Sequence, residues 1–221
     1  MRDDVTKLIL VRHAEAEGNI IRRFHGNTDS PLTENGHRQA KLAAERLADE
    51  PIDVIYTSDL QRAYQTAGYI AEAKNLPLHK VKALREIHGG DWEDMLWADL
   101  PIKWPDAYRC WEETPHLLEM PNGETMKGFY DRLVGAVTDI VKKHPGKSIC
   151  IVTHGTAKKA LLCYFYQKPL KAFIDLAWHD NAAITVVQVK EEAYEVLVEG
   201  DNTHLGELST LAKQDWWKKK E

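Results

Sequence analysis

A chain of 221 residues with 43% hydrophobic and 29% charged residues has the composition of a soluble globular protein, long enough for one large α/β domain or two small ones. The formal net charge of −5 argues against a nucleic-acid partner, because nucleic-acid-binding proteins usually carry a basic surface. No apolar stretch approaches the ~20 residues of a membrane span, so we expect no membrane partner.

The cysteines and the N-terminal segment indicate the cellular setting. The chain has three cysteines, Cys110, Cys150 and Cys163, and no two of them have Cys-x-x-Cys spacing. They therefore favour neither a disulfide framework nor a zinc site, and a reducing cytoplasm fits best. The apolar run near the N-terminus is too short for the core of a signal peptide, and a histidine follows it directly.

Strand and helix patterns alternate along most of the chain. The apolar run Lys7 to Val11 predicts a strand buried on both faces, and Thr33 predicts the N-cap of a helix that reaches about Asp49. The later predicted elements are, in order, a strand over 53–57, a helix over 60–74, a helix over 129–143, a strand over 148–153, a helix over 156–166, and closing strands over 183–189 and 194–199. This alternation predicts a single α/β domain over 1–221, a three-layer sandwich whose mostly parallel sheet has helices on both faces.

Residues 88–123, called the cap segment below, do not follow the alternation. The cap segment contains several prolines and five large aromatic residues, Trp92, Trp97, Trp104, Tyr108 and Trp111. Two interpretations are open at this point. The segment is either an insertion that folds over the sheet edge as a cap, or a small satellite core without a substrate role.

Two histidines follow predicted strands directly. His13 comes after the first strand and Arg12, and His154 comes after the strand that ends at Thr153. Ligand sites of parallel α/β sheets gather at the carboxyl ends of strands, so we expect the two histidines to face one another. A lone histidine more often has a structural role, but two at equivalent strand ends favour a shared site.

Arginine and glutamate side chains near these strand ends suit phosphate chemistry. Arg12 and Arg62, the latter near the start of a predicted helix, match phosphate oxygens with their guanidinium forks. Glu86 precedes the aromatic cap segment. Apolar surroundings raise the pKa of a carboxyl group, and a raised pKa suits a general acid. The simpler alternatives are a solvated Arg62 and a surface ion pair between Glu86 and Arg85.

These residues stand in an ordered set of motifs that resembles the histidine phosphatase superfamily, the phosphoglycerate mutase-like proteins. The resemblance spans roughly residues 7–190. Its motifs are Leu10-Val11-Arg12-His13-Ala14-Glu15 with Asn19; Gly26, Asp29, Pro31-Leu32-Thr33, Gly36 and Gln39-Ala40; Ser58-Asp59-Leu60-Gln61-Arg62-Ala63-Tyr64-Gln65-Thr66-Ala67; Leu84-Arg85-Glu86 with Gly90-Asp91-Trp92-Glu93; Asn122-Gly123-Glu124-Thr125; Thr153-His154-Gly155; and Asn181-Ala182-Ala183-Ile184.

The resemblance implies a phosphomonoesterase that acts on small phosphorylated metabolites through a phosphohistidine on His13. It implies that Arg12, Arg62 and His154 stabilise the equatorial phosphoryl oxygens. Glu86 then protonates the leaving oxygen and later activates water. Because three cationic groups do the charge work that Mg²⁺ does elsewhere, we expect neither a metal ion nor another cofactor.

The resemblance also assigns phosphate-binding residues. Asn19 and Ser58 are expected to add hydrogen bonds to the phosphate or its loop, and Gly155 belongs to the same phosphate-binding set. One departure from the family pattern is His25, which stands where glutamine is usual before Gly26. It either alters the rim of the pocket or points to solvent.

Lys158 and Lys159 follow the second histidine motif. They either attract an anionic substrate or are solvated, and we favour the solvated interpretation because helix lysines are usually exposed.

Two alternative functions remain open from the sequence. A cofactor-dependent phosphoglycerate mutase uses the same residues but returns the phosphoryl group to the substrate. A non-catalytic phosphate-binding module has the same fold and binds phosphate but catalyses no reaction. The segment from Leu84 to Glu93 resembles the phosphatase branch of the family, so we favour hydrolysis. The sequence does not indicate the oligomeric state.

Overall fold

The computed structural model describes residues 5–214, and its centre is a six-stranded mixed sheet. The strands are β1 Thr6–Arg12, β2 Val54–Thr57, β3 Leu78–Lys80, β4 Ser148–Thr153, β5 Ile184–Lys190 and β6 Ala193–Asp201. They lie in the order β3-β2-β4-β1-β5-β6. The first four strands in this order are parallel to one another, β5 pairs antiparallel with β1, and β6 pairs antiparallel with β5.

The helices vary widely in length. They are α1 Glu17–Ile21, α2 Glu34–Arg46, α3 Gln61–Lys74, α4 Leu100–Lys103, α5 Pro105–Glu113, α6 Met126–Lys143 and α7 Gly155–Phe165. Within residues 5–214, none of them combines the length and the apolar character that crossing a membrane requires.

Successive residues of β1 belong to different buried clusters, because side chains alternate across a strand. Leu8 and Leu10 lie in a core shared with side chains of α6 and α7. Ile9 and Val11 lie in a second core shared with α2 and α3. Helices therefore cover both faces of the sheet, and the predicted three-layer α/β class is confirmed.

The predicted elements are present, with shifts of a few residues at their ends. The hydroxyl of Thr33 accepts a hydrogen bond from the amide of Gly36 and caps α2, as predicted. Helix α6 begins three residues earlier than predicted, because Thr125 caps it by accepting from the amide of Gly128. The sequence analysis missed α1 and β3, which are short.

The cap segment contributes α4, α5 and short 3-10 turns, but no strand of the sheet. Trp92 is fully buried in the same core as Leu8. Its ring contacts those of Phe24, Tyr108 and Trp111, with centroids 5.6–6.4 Å apart. The aromatic residues of the cap segment thus continue the main core rather than forming a separate satellite.

Candidate active site

The two predicted histidines meet at the carboxyl edge of the sheet. Strands β1 and β4 pair in parallel with Arg12 opposite Thr153, so the next residue of each strand emerges at the same point. The centroids of the His13 and His154 rings are 5.2 Å apart. Both side chains are buried, which shields any charge that develops between them from water.

The hydrogen bonding of His13 determines which ring nitrogen can react. Its Nδ1 lies 2.8 Å from the carbonyl oxygen of Ala14. Because a carbonyl only accepts, Nδ1 carries the proton and donates, which leaves a lone pair on Nε2. Burial, Arg62 and Arg12 hold the pKa of His13 well below its ordinary value. The imidazole is therefore neutral and oriented as a nucleophile.

Arg62 lies in the first turn of α3 and is fully buried. Its Nη1 donates to the carbonyl of Thr28 at 2.8 Å, and its Nη2 donates to that of Gly26 at 2.7 Å. Burial lowers the pKa of Arg62 to about 10, while the charge of Glu86 opposes this shift. The guanidinium thus stays protonated at neutral pH, and backbone carbonyls fix its orientation.

Arg12 ends β1 and is buried beside the start of α7. Its Nη1 donates to the carbonyl of His179 at 2.6 Å. A Cβ at Gly155 would lie 3.2 Å from Nε of Arg12, so the absence of a side chain lets the helix start close to the guanidinium. Burial lowers the pKa of Arg12, and the charges of Asp180 and Glu86 oppose that shift.

His154 is fully buried and hydrogen-bonded to Ser58. Its Nε2 lies 2.8 Å from the hydroxyl oxygen of Ser58. Burial, Arg62 and His13 hold the pKa of His154 well below its ordinary value. The His154 imidazole is therefore uncharged at neutral pH, and Arg12 and Arg62 supply the guanidinium charges beside it.

Glu86 is buried between the end of β4 and the cap segment. One carboxyl oxygen accepts from its neighbouring amide of Ile87 at 3.0 Å, and the other accepts from the amide of Thr156 at 2.9 Å. Burial raises the pKa of Glu86, although both amides and Arg62 oppose the shift. A surface ion pair with Arg85 is not what the structure shows, because Arg85 instead pairs with Asp59 at 2.6 Å.

The side chain of Asn19 contacts that of Asn181, a motif residue to which the sequence assigned no role. Its Oδ1 accepts from the amide of Ala16 at 2.9 Å and from Nδ2 of Asn181 at 3.3 Å. The same Nδ2 donates to the carbonyl of His13 at 3.0 Å. Asn181 therefore joins β1 to the loop that carries Asn19. In the sequence, Asn181 stands out only as part of the motif Asn181-Ala182-Ala183-Ile184, with no role assigned to its side chain.

A cavity of about 920 Å³ opens above these residues. Six of the predicted residues line it, namely Arg12, His13, Asn19, Arg62, Glu86 and Gly155. His154 and Ser58 are fully buried and are not among the lining residues, although the His154 ring lies against that of His13. The structure thus brings all eight together, six at the cavity and two buried beside His13.

Aromatic residues form the outer wall of the cavity. Trp97, Tyr108 and Trp111 come from the cap segment, and Phe173 and Trp178 come from the stretch before β5. Trp111 stacks on Trp178 with centroids 6.3 Å apart. The cap segment therefore lies over the site, as one of the two sequence interpretations expected.

The structure corrects the favoured interpretation of Lys158 and Lys159, which are buried rather than solvated. Lys158 donates to the carbonyl of Ala183 at 2.8 Å, and burial lowers its pKa to about 7. Nζ of Lys159 lies 4.5 Å from the ring centroids of both Phe173 and Trp178. Helix α7 is buried along most of its length, so its lysines have no exposed face to occupy.

His25 packs into the cavity wall rather than pointing to solvent. A Cβ at Gly18 would lie 2.0 Å from Nε2 of His25, so the imidazole uses the space that glycine leaves. Nε2 also lies 3.2 Å from the hydroxyl of Ser30. Burial, Arg62 and Arg12 lower the pKa of His25 to about 3, and the ring is neutral.

Three buried nitrogens around His13 have no hydrogen-bond partner within residues 5–214. They are Nε of Arg12, Nε of Arg62 and Nδ1 of His154. Buried polar atoms are nearly always paired, and clustered guanidinium donors suit an oxyanion such as phosphate. The described residues contain no group of three or more His, Cys, Asp or Glu side chains arranged to hold a metal ion.

Comparisons with known proteins agree with this geometry. The family model of the histidine phosphatase superfamily (branch 1) matches residues 8–202. The chain is 39% identical to phosphoserine phosphatase 1 of Hydrogenobacter thermophilus, over 92% of the chain and 96% of that protein. It is 32% identical to a metal-independent phosphoserine phosphatase of Arabidopsis thaliana, over 96% of the chain and 89% of that protein.

A solved structure shows the same architecture. The protein YhfR of Bacillus stearothermophilus superposes with a TM-score of 0.87 at 35% sequence identity. The match covers 90% of this chain and 99% of YhfR. The fold described above is therefore shared with YhfR over nearly the whole of that protein.

Proposed function

The chain belongs to the histidine phosphatase superfamily and is a phosphoric monoester hydrolase; on that premise, we propose that it hydrolyses small phosphomonoesters through a phosphohistidine on His13, without a metal ion. Two of the similar proteins are named phosphoserine phosphatases, so phosphoserine is the first natural substrate to test. The observation that carries the proposal is the neutral His13 ring, whose Nδ1–H donates to a carbonyl.

In the first step, Nε2 of His13 attacks phosphorus opposite the leaving oxygen. The N–P bond forms as the P–O bond to the alcohol breaks. Glu86 delivers its proton to the leaving oxygen, and its raised pKa supports this role as a general acid. In the second step water attacks phosphorus: a P–O bond forms as the N–P bond breaks, and Glu86 takes one proton of that water. Inorganic phosphate leaves, and the lone pair returns to Nε2 of His13.

Arg12 and Arg62 provide the positive charge for this transfer. Both guanidiniums are fixed by backbone carbonyls, so they need little reorganisation when charge moves onto the equatorial oxygens. Each also has a buried Nε that no group in the described part of the chain pairs with, and a phosphoryl oxygen would satisfy it. Two fixed cations in a buried site supply the charge stabilisation that a bound Mg²⁺ supplies in other phosphoryl-transfer enzymes.

Ser58 and His154 are fully buried, and they are hydrogen-bonded to each other. When the Ser58 hydroxyl donates to Nε2 of His154, Nδ1 of that ring carries the proton and donates to a phosphoryl oxygen. The unpartnered Nδ1 supports this assignment. Ser58 is then a positioning residue that acts through His154. Asn19 and Gly155 complete the phosphate pocket, the first by a side-chain amide and the second by leaving room beside Arg12.

Phosphate release in excess EDTA tests the proposal. Wild-type protein should release phosphate from p-nitrophenyl phosphate and from phosphoserine, and His13→Ala should lower kcat by at least about 10³-fold. His79→Ala serves as the matched control, because His79 is an exposed histidine of β3. Full activity of His13→Ala would overturn the assignment of the nucleophile.

A second assay separates hydrolysis from mutase activity. With 3-phosphoglycerate and 2,3-bisphosphoglycerate, we expect phosphate release to exceed isomerisation. Isomerisation much faster than phosphate release would show that the chain is a mutase.

A further inference from the structure

Lys159 lies in the wall of the same cavity, one helical turn beyond Gly155. Residues four apart share a helix face, with Cβ atoms ~5–6 Å apart. The Gly155 position abuts Nε of Arg12, so Lys159 occupies the helix face that borders the phosphate pocket. Gly155, Thr156 and Lys159 all line the cavity. Side chains of a helix also tilt toward its N-terminus, which is the end at the phosphate pocket.

Two aromatic rings hold the ammonium group of Lys159. Its Nζ is 4.5 Å from the centroids of both Phe173 and Trp178, and 5% of the residue is exposed. Aromatic faces attract a cation through the ring quadrupole. They reduce the cost of burying the charge and keep the ammonium at a defined place on the wall, where a ligand meets it with little further ordering.

Cationic side chains outnumber acidic ones in the cavity. The lining holds five cationic residues, Arg12, Arg22, Arg23, Arg62 and Lys159, and two acidic ones, Glu86 and Glu112. Arg23 is paired with Asp94 at 3.5 Å, and the raised pKa of Glu86 favours its neutral form. The chain as a whole has a net charge of −5. Positive charge is thus concentrated at this cavity, which raises the local concentration of anions.

We propose that Lys159, held by Phe173 and Trp178, forms a subsite for a second anionic group on the substrate, a carboxylate or a second phosphoryl group. Lys159 is then a residue that determines specificity, separate from the phosphoryl-binding Arg12 and Arg62. The inference rests on the proposed function, because it assigns the substrate class of the same site. The two buried lysines then have different roles. Lys158 donates to the backbone carbonyl of Ala183, whereas Lys159 lines the cavity.

The chemistry favours an anion over a neutral group at Lys159. A hydrogen bond from an ammonium to an anionic oxygen is about twice as strong as a bond between neutral groups, and a desolvated cation gains most from it. The volume of about 920 Å³ exceeds what a phosphoryl group fills. The cavity therefore has room for a substrate that spans from the phosphate pocket to the Phe173–Trp178 pair.

Matched substrate pairs test the subsite. 3-Phosphoglycerate and glycerol 3-phosphate differ in one carboxylate, as do phosphoserine and phosphoethanolamine. For a second phosphoryl group, the pair is 1,3-propanediol bisphosphate and 1,3-propanediol monophosphate. In Lys159→Met, the ratio of kcat/KM for the more anionic member to that for its partner should fall about 10-fold or more for at least one type of pair. The pair that responds identifies the anionic group.

Lys80→Met is the matched control. Nζ of Lys80 lies 3.9 Å from the ring centroid of Tyr64, so this lysine also contacts an aromatic face, but it is exposed and outside the cavity. Its substitution should leave every ratio unchanged. Lys159→Arg keeps the charge and should retain more of the preference than Lys159→Met does.

Unchanged ratios in Lys159→Met for all pairs would overturn the subsite, as would an equal loss of kcat/KM on both members of each pair. If Lys159→Met does not fold, Lys159→Gln gives the same ratios. Wild-type protein that releases no phosphate from any of these esters would refute the proposed function itself. A refuted subsite alone leaves wild-type hydrolysis intact, so the two failures are distinguishable.

Discussion

The strand ends and the cap segment bury very different side chains. At the ends of β1 and β4, the buried residues are charged or polar, such as Arg12 and His154, and a backbone carbonyl or a hydroxyl holds them. In the cap segment the buried residues are aromatic, such as Trp92, and ring contacts hold them. One region positions polar groups at a cost in desolvation, and the other contributes apolar packing.

This difference separates the region that serves catalysis, the strand ends, from the region that serves stability, the cap segment. Buried donors without partners within residues 5–214, such as Nε of Arg12 and Nδ1 of His154, lower the stability of the fold but suit an anion. The packing of the cap segment contributes stability that offsets this cost. Substitutions at the strand ends should therefore impair turnover more than folding, and substitutions of the aromatic core of the cap segment should do the reverse.

Glu86→Gln should give the largest effect on turnover. For alkyl phosphates, whose leaving group needs a proton, we expect kcat to fall by about 10²–10⁴-fold, and for aryl phosphates by far less. The free energy of unfolding should fall by only about 1–3 kcal/mol, because the glutamine oxygen accepts from one of the two backbone amides that Glu86 binds and leaves the other without its acceptor. Equal losses on both substrates would remove the acid role, and a large loss of stability would break the comparison.

The pH dependence of kcat/KM sharpens the same prediction. The raised pKa of Glu86 keeps the acid protonated above its ordinary range, so activity should fall as pH rises through that pKa. Glu86→Gln should lack this alkaline limb. The depressed pKa of His13 keeps the nucleophile neutral in acid, so activity should persist below pH values near the ordinary histidine pKa of about 6.5. A steep loss at that pH would contradict a neutral His13.

Trp92→Ala tests the cap segment from the stability side. Removal of a fully buried indole should lower the free energy of unfolding by about 3–5 kcal/mol, measured by denaturant titration. Trp92→Phe should cost less, because it keeps part of the ring packing and removes a buried Nε1 that has no partner within the described residues. If Trp92→Ala instead lowered kcat without changing stability, the division between the two regions would be wrong.

Lys158→Met probes the polar region behind the strand ends and should give the smallest effect. The folded-state pKa of about 7 lies below the unfolded value, so the unfolded chain binds the extra proton between the two. Wild-type stability should therefore rise with pH above 7, relative to Lys158→Met, by at most about 1.4 kcal/mol per pH unit. The charges of Arg12 and Glu199 also act on this lysine. Parallel stability profiles for the two proteins would contradict a buried, proton-releasing Lys158.

The strands and long helices were predictable because local patterns determine them. Strand Ser148–Thr153 was predicted at its observed bounds, since an apolar run and a preceding Pro145-Gly146 turn define it. Strand β3 was missed because it has three residues and lies partly exposed at the sheet edge. Helix α1 has five residues, too few for a helical periodicity to be visible.

The polar surroundings of the site were less predictable because they join distant parts of the chain. Burial of Lys158 depends on a carbonyl 25 residues further along, and that of Lys159 depends on Phe173 and Trp178. Motif spacing found His13 and His154, since strand ends leave a local signal. It did not predict the contact of Asn181 with His13, which spans 168 residues.

Rapid-quench labelling with a ³²P-phosphoryl substrate tests the central claim most directly. Wild-type protein should acquire an acid-labile, alkali-stable label on His13 during turnover, and Glu86→Gln should also be labelled when the substrate is an aryl phosphate. His13→Ala should acquire none, whereas His79→Ala should be labelled like the wild type. Turnover without any label, or a label that persists in His13→Ala, would contradict a covalent phosphohistidine at the end of β1.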